Sequence, residues 1–68
     1  MKLSARNVLK GKIVEVKKGT VTTHVRIDIG GQVITASITN EAVDDLKLAD
    51  GQKAHAVIKA SDVMIAID

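Results

Sequence analysis

The sequence predicts an all-β fold with one short helix: five strands, the helix between the third and fourth, and assembly with further copies. Three observations predict it. Apolar and polar residues alternate cleanly over residues 20–29, the period of a half-buried strand. Gly30-Gly31 follows at once, and two glycines between alternating runs are a hairpin signal because glycine accepts positive φ. Finally, the 68 residues contain no Phe, Tyr, Trp or Cys. A chain this short buries only about 60% of the surface its unfolded form exposes. Without aromatic side chains, disulfides or a zinc ribbon, oligomerisation is the remaining means of support.

Residues 8–17 read as the first strand. Leu9, Gly11 and Ile13 share one face, and Val14 and Val16 fall on the other. That change of phase suggests a bulge, a coiled strand or burial on both faces, with Gly11 permitting a bend. Lys18-Gly19 is a turn. In the second strand, residues 20–29, Val21, Thr23, Val25, Ile27 and Ile29 form one face. Thr22, His24, Arg26 and Asp28 form the other. The third, residues 32–39, sets Ile34, Ala36 and Ile38 against Val33, Thr35, Ser37 and Thr39. Asn40 is the expected N-cap of a two-turn helix, with Glu41, Asp44 and Asp45 complementing the positive helix end. Ala42, Val43, Leu46 and Leu48 make its buried stripe, and Asp50-Gly51 ends it. Residues 52–60 and 62–67 are the fourth and fifth strands, and Met64 is expected as core filler. This order of strands and helix is that of an OB-type barrel, a single domain over residues 1–68; an open five-stranded sheet is the alternative.

Two segments carry the chemistry. Ser4-Ala5-Arg6-Asn7 and Lys59-Ala60-Ser61 each place a cation beside a hydroxyl, and neither contains a carboxylate. A tetrahedral dianion such as molybdate or tungstate accepts hydrogen bonds and donates none, so its best site is made of donors alone. Arg6 offers five donors in a fixed fork and Lys59 three on a compact charge. Ser4 and Ser61 add hydroxyls, and the small side chains of Ala5 and Ala60 let an anion approach the backbone amides. Protonated phosphate would leave its proton unpaired there, at about 1–3 kcal/mol. The bland alternatives are a solvated N-terminal segment and an exposed strand exit.

Other chemistries are weaker. The net charge is only +2. Lys10, Lys12, Lys17 and Lys18 cluster, but single-stranded nucleic acid is held by stacking on aromatic rings, which this chain lacks. His24 and His55 have no metal-ligand spacing, Asp44-Asp45 reads as a dipole complement, and no catalytic triad or P-loop is present, so the chain is read as no enzyme. Met1-Lys2-Leu3-Ser4 has no apolar run of a signal peptide, and no stretch approaches the roughly 20 residues that span a bilayer. A cytoplasmic setting, without membrane partners, is the expectation.

Ser4-Ala5-Arg6-Asn7, Leu9-x-Gly11-Lys12-Ile13, Gly19-x-Val21, Ala36-x-Ile38-Thr39, Leu46-x-Leu48 and Lys59-Ala60-Ser61-x-Val63-Met64 together resemble the molybdenum-pterin-binding proteins, or molbindins (Mop family), over essentially the whole chain. The resemblance implies an OB-type barrel assembled as a hexamer, a trimer of dimers. It implies a store or buffer of molybdate or tungstate held between subunits. By carry-over, Ser4, Arg6, Lys59 and Ser61 contact the anion, with Thr39 and Asn40 from a neighbouring subunit. Ala5, Asn7 and Ala60 shape the pocket. A second site near a threefold axis is also implied, with Gly19, Thr20, Thr22 and His24 as candidates. A bound pterin is not supported, since no aromatic ring is available to stack on it. The rival readings are an OB module for nucleic acid and an anion-responsive protein-interaction module.

Overall fold

A computed structural model describes residues 3–68. Four strands form one strongly curled antiparallel sheet, a half-barrel, in the order β3-β2-β1-β4. They are β1 (Asn7–Lys18), β2 (Thr22–Asp28), β3 (Val33–Thr39) and β4 (Lys53–Ile58). A seven-residue helix, α1 (Asn40–Leu46), joins β3 to β4.

β1 is the long central stave, paired with β2 along one edge and β4 along the other. The register slips between Ile13 and Glu15, so the phase change in the sequence is a bulge. The bulge turns Val14 outward and returns Val16 to the inner side, opposite Val25. Gly11 has a different reason from the bend expected of it. A Cβ there would lie 2.5 Å from the Asp28 carbonyl oxygen and 2.6 Å from Ile27 Cγ2, so β2 crosses too close for any side chain.

The core is small: Ile13, Val25, Ile27, Val43 and Ala56, with the Thr23 side chain buried among them. Buried Thr23 keeps its hydroxyl satisfied by donating to Asn40 Oδ1 at 2.6 Å. Apart from Ala56, the inner residues of the edge strands, Ile34, Ala36 and Ile38 on β3 and Ala54 and Ile58 on β4, are only half-buried.

The hairpin forms where Gly30-Gly31 predicted it, with both glycines at positive φ (105° and 97°). Ile29 N–H donates to the Gln32 carbonyl at 2.9 Å. Asp28 Oδ1 accepts from the N–H groups of Gly30 (2.9 Å) and Gly31 (3.2 Å). These bonds, Gly30 first, hold the Asp28 carboxyl below its ordinary pKa by favouring the ionised form.

Four expectations need correction. The N-cap is Thr39, not Asn40: Thr39 Oγ1 accepts from Ala42 N–H at 3.1 Å, while the Asn40 side chain turns inward to Thr23. Leu46 is 62% exposed rather than buried, because α1 closes one residue later at Lys47, in the left-handed region (φ 52°), well short of Gly51. The fifth strand does not form within the chain. After β4 comes a single 3₁₀ turn, η1 (Ala60–Asp62), and residues 63–68 pair with no strand. Met64, expected in the core, is 93% exposed. The turn over Lys59–Asp62, closed by Asp62 N–H on the Lys59 carbonyl at 2.9 Å, sends the chain away from the sheet.

Candidate functional site

The two acid-free segments meet. Asn7 and Ile58 are the last pair of the β1–β4 ladder, and the Asn7 side-chain amide donates to the Ile58 carbonyl at 3.3 Å. Ser4-Ala5-Arg6 therefore enters the sheet beside the point where Lys59-Ala60-Ser61 leaves it, Arg6 preceding one member of the pair and Lys59 following the other. Residues from opposite ends of the sequence are thus brought to one end of the half-barrel by antiparallel pairing alone.

Ser4, Arg6, Lys59, Ala60 and Ser61 are exposed and Ala5 is half-buried. Among the described residues the only ion pair is Lys18–Asp44, at 2.7 Å, so neither Arg6 nor Lys59 has a carboxylate partner. Two uncompensated cations on adjacent strand ends repel each other, and an anion between them relieves that repulsion while taking their hydrogen bonds.

Thr39 and Asn40 sit elsewhere, at the junction of β3 and α1. The Thr39 oxygen accepts the helix-capping bond and keeps its hydroxyl proton free to donate. Asn40 is fully used within the protomer. Its oxygen accepts from Thr23, and its amide donates to the carbonyls of Gly19 (3.0 Å) and Thr20 (3.3 Å). It positions the β1–β2 turn, a role that a search for anion donors does not reveal.

Gly19, Thr22 and His24 come together with Lys17 and Lys18 around a hollow of about 290 Å³ at that turn. Lys17 lies directly opposite His24 across the ladder, and Lys18 is tied to Asp44 of α1. Thr20 contributes its carbonyl to Asn40 rather than lining the hollow. The lysines were visible in the sequence as a basic cluster, but only the register puts them beside His24.

A larger hollow, about 740 Å³, lies farther along the β1–β4 ladder and was not anticipated. Lys10, Gly11, Lys12, Asp28, Ile29, Gly30, Lys53, Ala54 and His55 line it, with Lys12 opposite Lys53 and Lys10 opposite His55. It is lined by three lysines and also by Asp28, whose Oδ1 accepts from the Gly30 and Gly31 N–H groups. The described residues include no cluster of three or more His, Cys, Asp or Glu able to hold a metal ion, and no helix is long and apolar enough to cross a membrane.

Comparison with known proteins agrees with the geometry. The family model for the TOBE domain matches residues 3–65. The chain is 46% identical over 69 residues to the probable molybdenum-pterin-binding protein of Haemophilus influenzae, covering 100% of both chains. This chain belongs to the TOBE-domain, molybdenum-pterin-binding (Mop) family. It is also 50% identical to molybdenum-pterin-binding protein 3 of Clostridium pasteurianum, over 96% of this chain and 97% of that one. Among solved structures, a molybdate-binding protein from Sporomusa ovata superposes with a TM-score of 0.94 at 37% identity, over 98% of this chain and all of that one. These Mop relatives are binding proteins and not enzymes, in agreement with the reading of the sequence.

Proposed function

We propose that this Mop-family protein binds molybdate or tungstate at the boundaries between subunits of a homohexamer, a trimer of dimers, and stores or buffers the oxyanion in the cytoplasm. The observation that supports the proposal is the pairing of Asn7 with Ile58, which sets the segments of Ser4 and Arg6 and of Lys59 and Ser61 at one strand end, with neither cation in an ion pair among the described residues. A donor-only site of this kind fits a fully ionised tetrahedral oxide and disfavours any ligand that carries a proton. The molybdate-binding neighbour from Sporomusa ovata supports the choice of ligand.

The site in one protomer is open on its outer side, since its polar residues are exposed. A second copy closes it. That copy supplies Thr39, whose hydroxyl proton is free, and the Asn40 segment, whose side chain holds the β1–β2 turn in place. Ala5 and Ala60 leave room for backbone amides. Desolvation on closure strengthens each hydrogen bond, and ligand binding then stabilises the assembly by mass action. The hollow at Gly19, Thr22 and His24, with Lys17 and Lys18, is the second oxyanion site of this reading, and Thr20 shapes its turn. A bound pterin, despite the relatives' name, is not part of the proposal, because the chain has no aromatic residue to stack on it.

Calorimetry with tungstate tests the site. Arg6→Ala and Lys59→Ala are each expected to weaken binding at least tenfold; unchanged affinity in both rejects it. Native mass spectrometry with added molybdate reports subunit count and stoichiometry together, and a monomer without bound anion contradicts the storage reading.

A further inference from the structure

The basic hollow along the β1–β4 ladder is the largest feature that the proposed function leaves unused. The fold divides the lysine cluster of the sequence in two: Lys17 and Lys18 go to the β1–β2 turn, and Lys10 and Lys12 go to this hollow. There the register sets Lys12 directly opposite Lys53 and Lys10 directly opposite His55. Leu9 and Ile13 of β1 pack in the core, so alternation puts both basic pairs on the outer side of the sheet. All four side chains are exposed. Like charges directly opposite, as Lys12 and Lys53 are, destabilise a ladder. None of the four forms an ion pair among the described residues. An arrangement that costs the fold stability and finds no answer within the protomer calls for an anion from outside.

Size decides what kind of anion. The hollow measures about 740 Å³, inside the range of about 300–1,000 Å³ for small-molecule sites. Cross-strand neighbours stand about 5 Å apart, and successive outward residues of one strand about 7 Å. The four basic residues therefore frame a rectangle of roughly 5 by 7 Å. One tetrahedral ion meets only part of that frame. Two or three linked phosphoryl groups fill it, and the lysine ammonium groups and the imidazole N–H all donate to their oxygens.

Asp28 decides what the phosphoryl groups are attached to. It pairs with Lys12 on the side away from Lys53. Lys53, Lys12 and Asp28 thus form one row across β4, β1 and β2, about 10 Å long at the spacing of neighbouring strands. Asp28 Oδ1 accepts from the Gly30 and Gly31 N–H groups, which leaves Oδ2 to accept from a ligand. An ionised carboxylate only accepts, so this end of the row repels a phosphoryl group and receives a hydroxyl. Gly30, which also lines the hollow, adds no side chain to obstruct that end.

We infer that this hollow binds an organic polyphosphate: two or three linked phosphoryl groups over Lys10, Lys12, Lys53 and His55, joined to a hydroxyl-bearing body that reaches Asp28. Nucleoside triphosphates have that chemistry. The chain has no aromatic ring on which a base could stack, so recognition rests on phosphoryl groups and hydroxyls. The inference is independent of the oxyanion reading, because it uses none of the residues assigned to molybdate or tungstate.

Calorimetry of the full chain with ATP, inorganic triphosphate and orthophosphate tests it. ATP is expected to bind at least threefold more tightly than triphosphate and at least tenfold more tightly than orthophosphate. Lys12→Gln and Lys53→Gln are each expected to weaken ATP binding at least fivefold. Lys47→Gln, which removes an equal charge at the end of α1, is expected to change it less than twofold. Because Lys12→Gln and Lys53→Gln each relieve a like-charge opposition, both variants are expected to melt no lower than the parent in phosphate-free buffer. Both are also expected to keep tungstate affinity within twofold, so either site can fail without the other. Equal losses for Lys53→Gln and Lys47→Gln reduce the binding to general charge attraction and overturn the site. Triphosphate binding as tightly as ATP overturns it too, as does an absence of ATP binding.

Discussion

Two basic regions lie along the strand β1. At its start, Arg6 and Lys59 flank the paired residues Asn7 and Ile58, in two segments that contain no carboxylate. Farther along, Lys12 faces Lys53 and Lys10 faces His55, and the Asp28 carboxylate is among the residues lining the same hollow. The second region has more cations and more enclosed space. No ion pair forms in either region among the described residues, but only the second counts an acidic residue, Asp28, in its lining. A tetrahedral oxide is best held by donors alone, and for that reason the proposal places it at the poorer-looking region. Cation count and cavity size alone would select the other end of the strand.

The comparison can be broken in several places. Removing both cations, Arg6→Ala with Lys59→Ala, is expected to lower tungstate affinity at least a hundredfold by calorimetry, about 2.7 kcal/mol or more. Adding an acceptor to the donor-only end is the next largest change. Ala60→Asp makes that end resemble the other and is expected to weaken tungstate binding more than tenfold; equal affinity would show that competing carboxylates do not matter here.

At the far region the expected effects are on stability. Gly11→Ala forces a Cβ against the Asp28 carbonyl and Ile27, and overpacking of that kind costs about 1–3 kcal/mol. Denaturant unfolding should show the loss while the tungstate affinity of the folded fraction stays the same. Asp28 adds a pH dependence. Its folded pKa is depressed by the Gly30 and Gly31 amides, so its contribution is complete above the unfolded carboxyl pKa of about 4 and is lost as pH falls through the lower folded value. Melting curves of Asp28→Asn should therefore show a shallower loss of stability below about pH 4 than the parent. Smallest of all, Lys12→Ala with Lys53→Ala is expected to leave tungstate affinity within about twofold, the residue of long-range attraction screened by salt.

Much of this was legible in the sequence, for local reasons. The alternation of Thr23, Val25 and Ile27 with His24 and Arg26 marks β2 because burial on one face demands it. Gly30-Gly31 marks the turn because few other residues accept its backbone. The phase change at Val14 marks the bulge. The donor-only segments were readable from residue type alone, and antiparallel pairing at Asn7 and Ile58 then brings them together. Other features depend on partners that no local pattern names. Thr23 reads as one more inward residue, and only the fold reveals Asn40 as its acceptor. Thr39 and Asn40 are both capable N-caps, and the buried hydroxyl of Thr23 decides between them. Residues 62–67 have the composition of a strand, but Asp62 closes the η1 turn and the residues after it pair with no strand of their own chain.

The proposal places the oxyanion at the acid-free segments beside the start of β1, and not in the larger basic hollow beyond it. A crystal structure with tungstate soaked in, read from the anomalous scattering of tungsten, tests it most directly. The account predicts the strongest peak within hydrogen-bonding distance of Arg6, Lys59 and the hydroxyls of Ser4 and Ser61. A strongest peak among Lys10, Lys12, Lys53 and His55, with nothing beside Arg6, would contradict it.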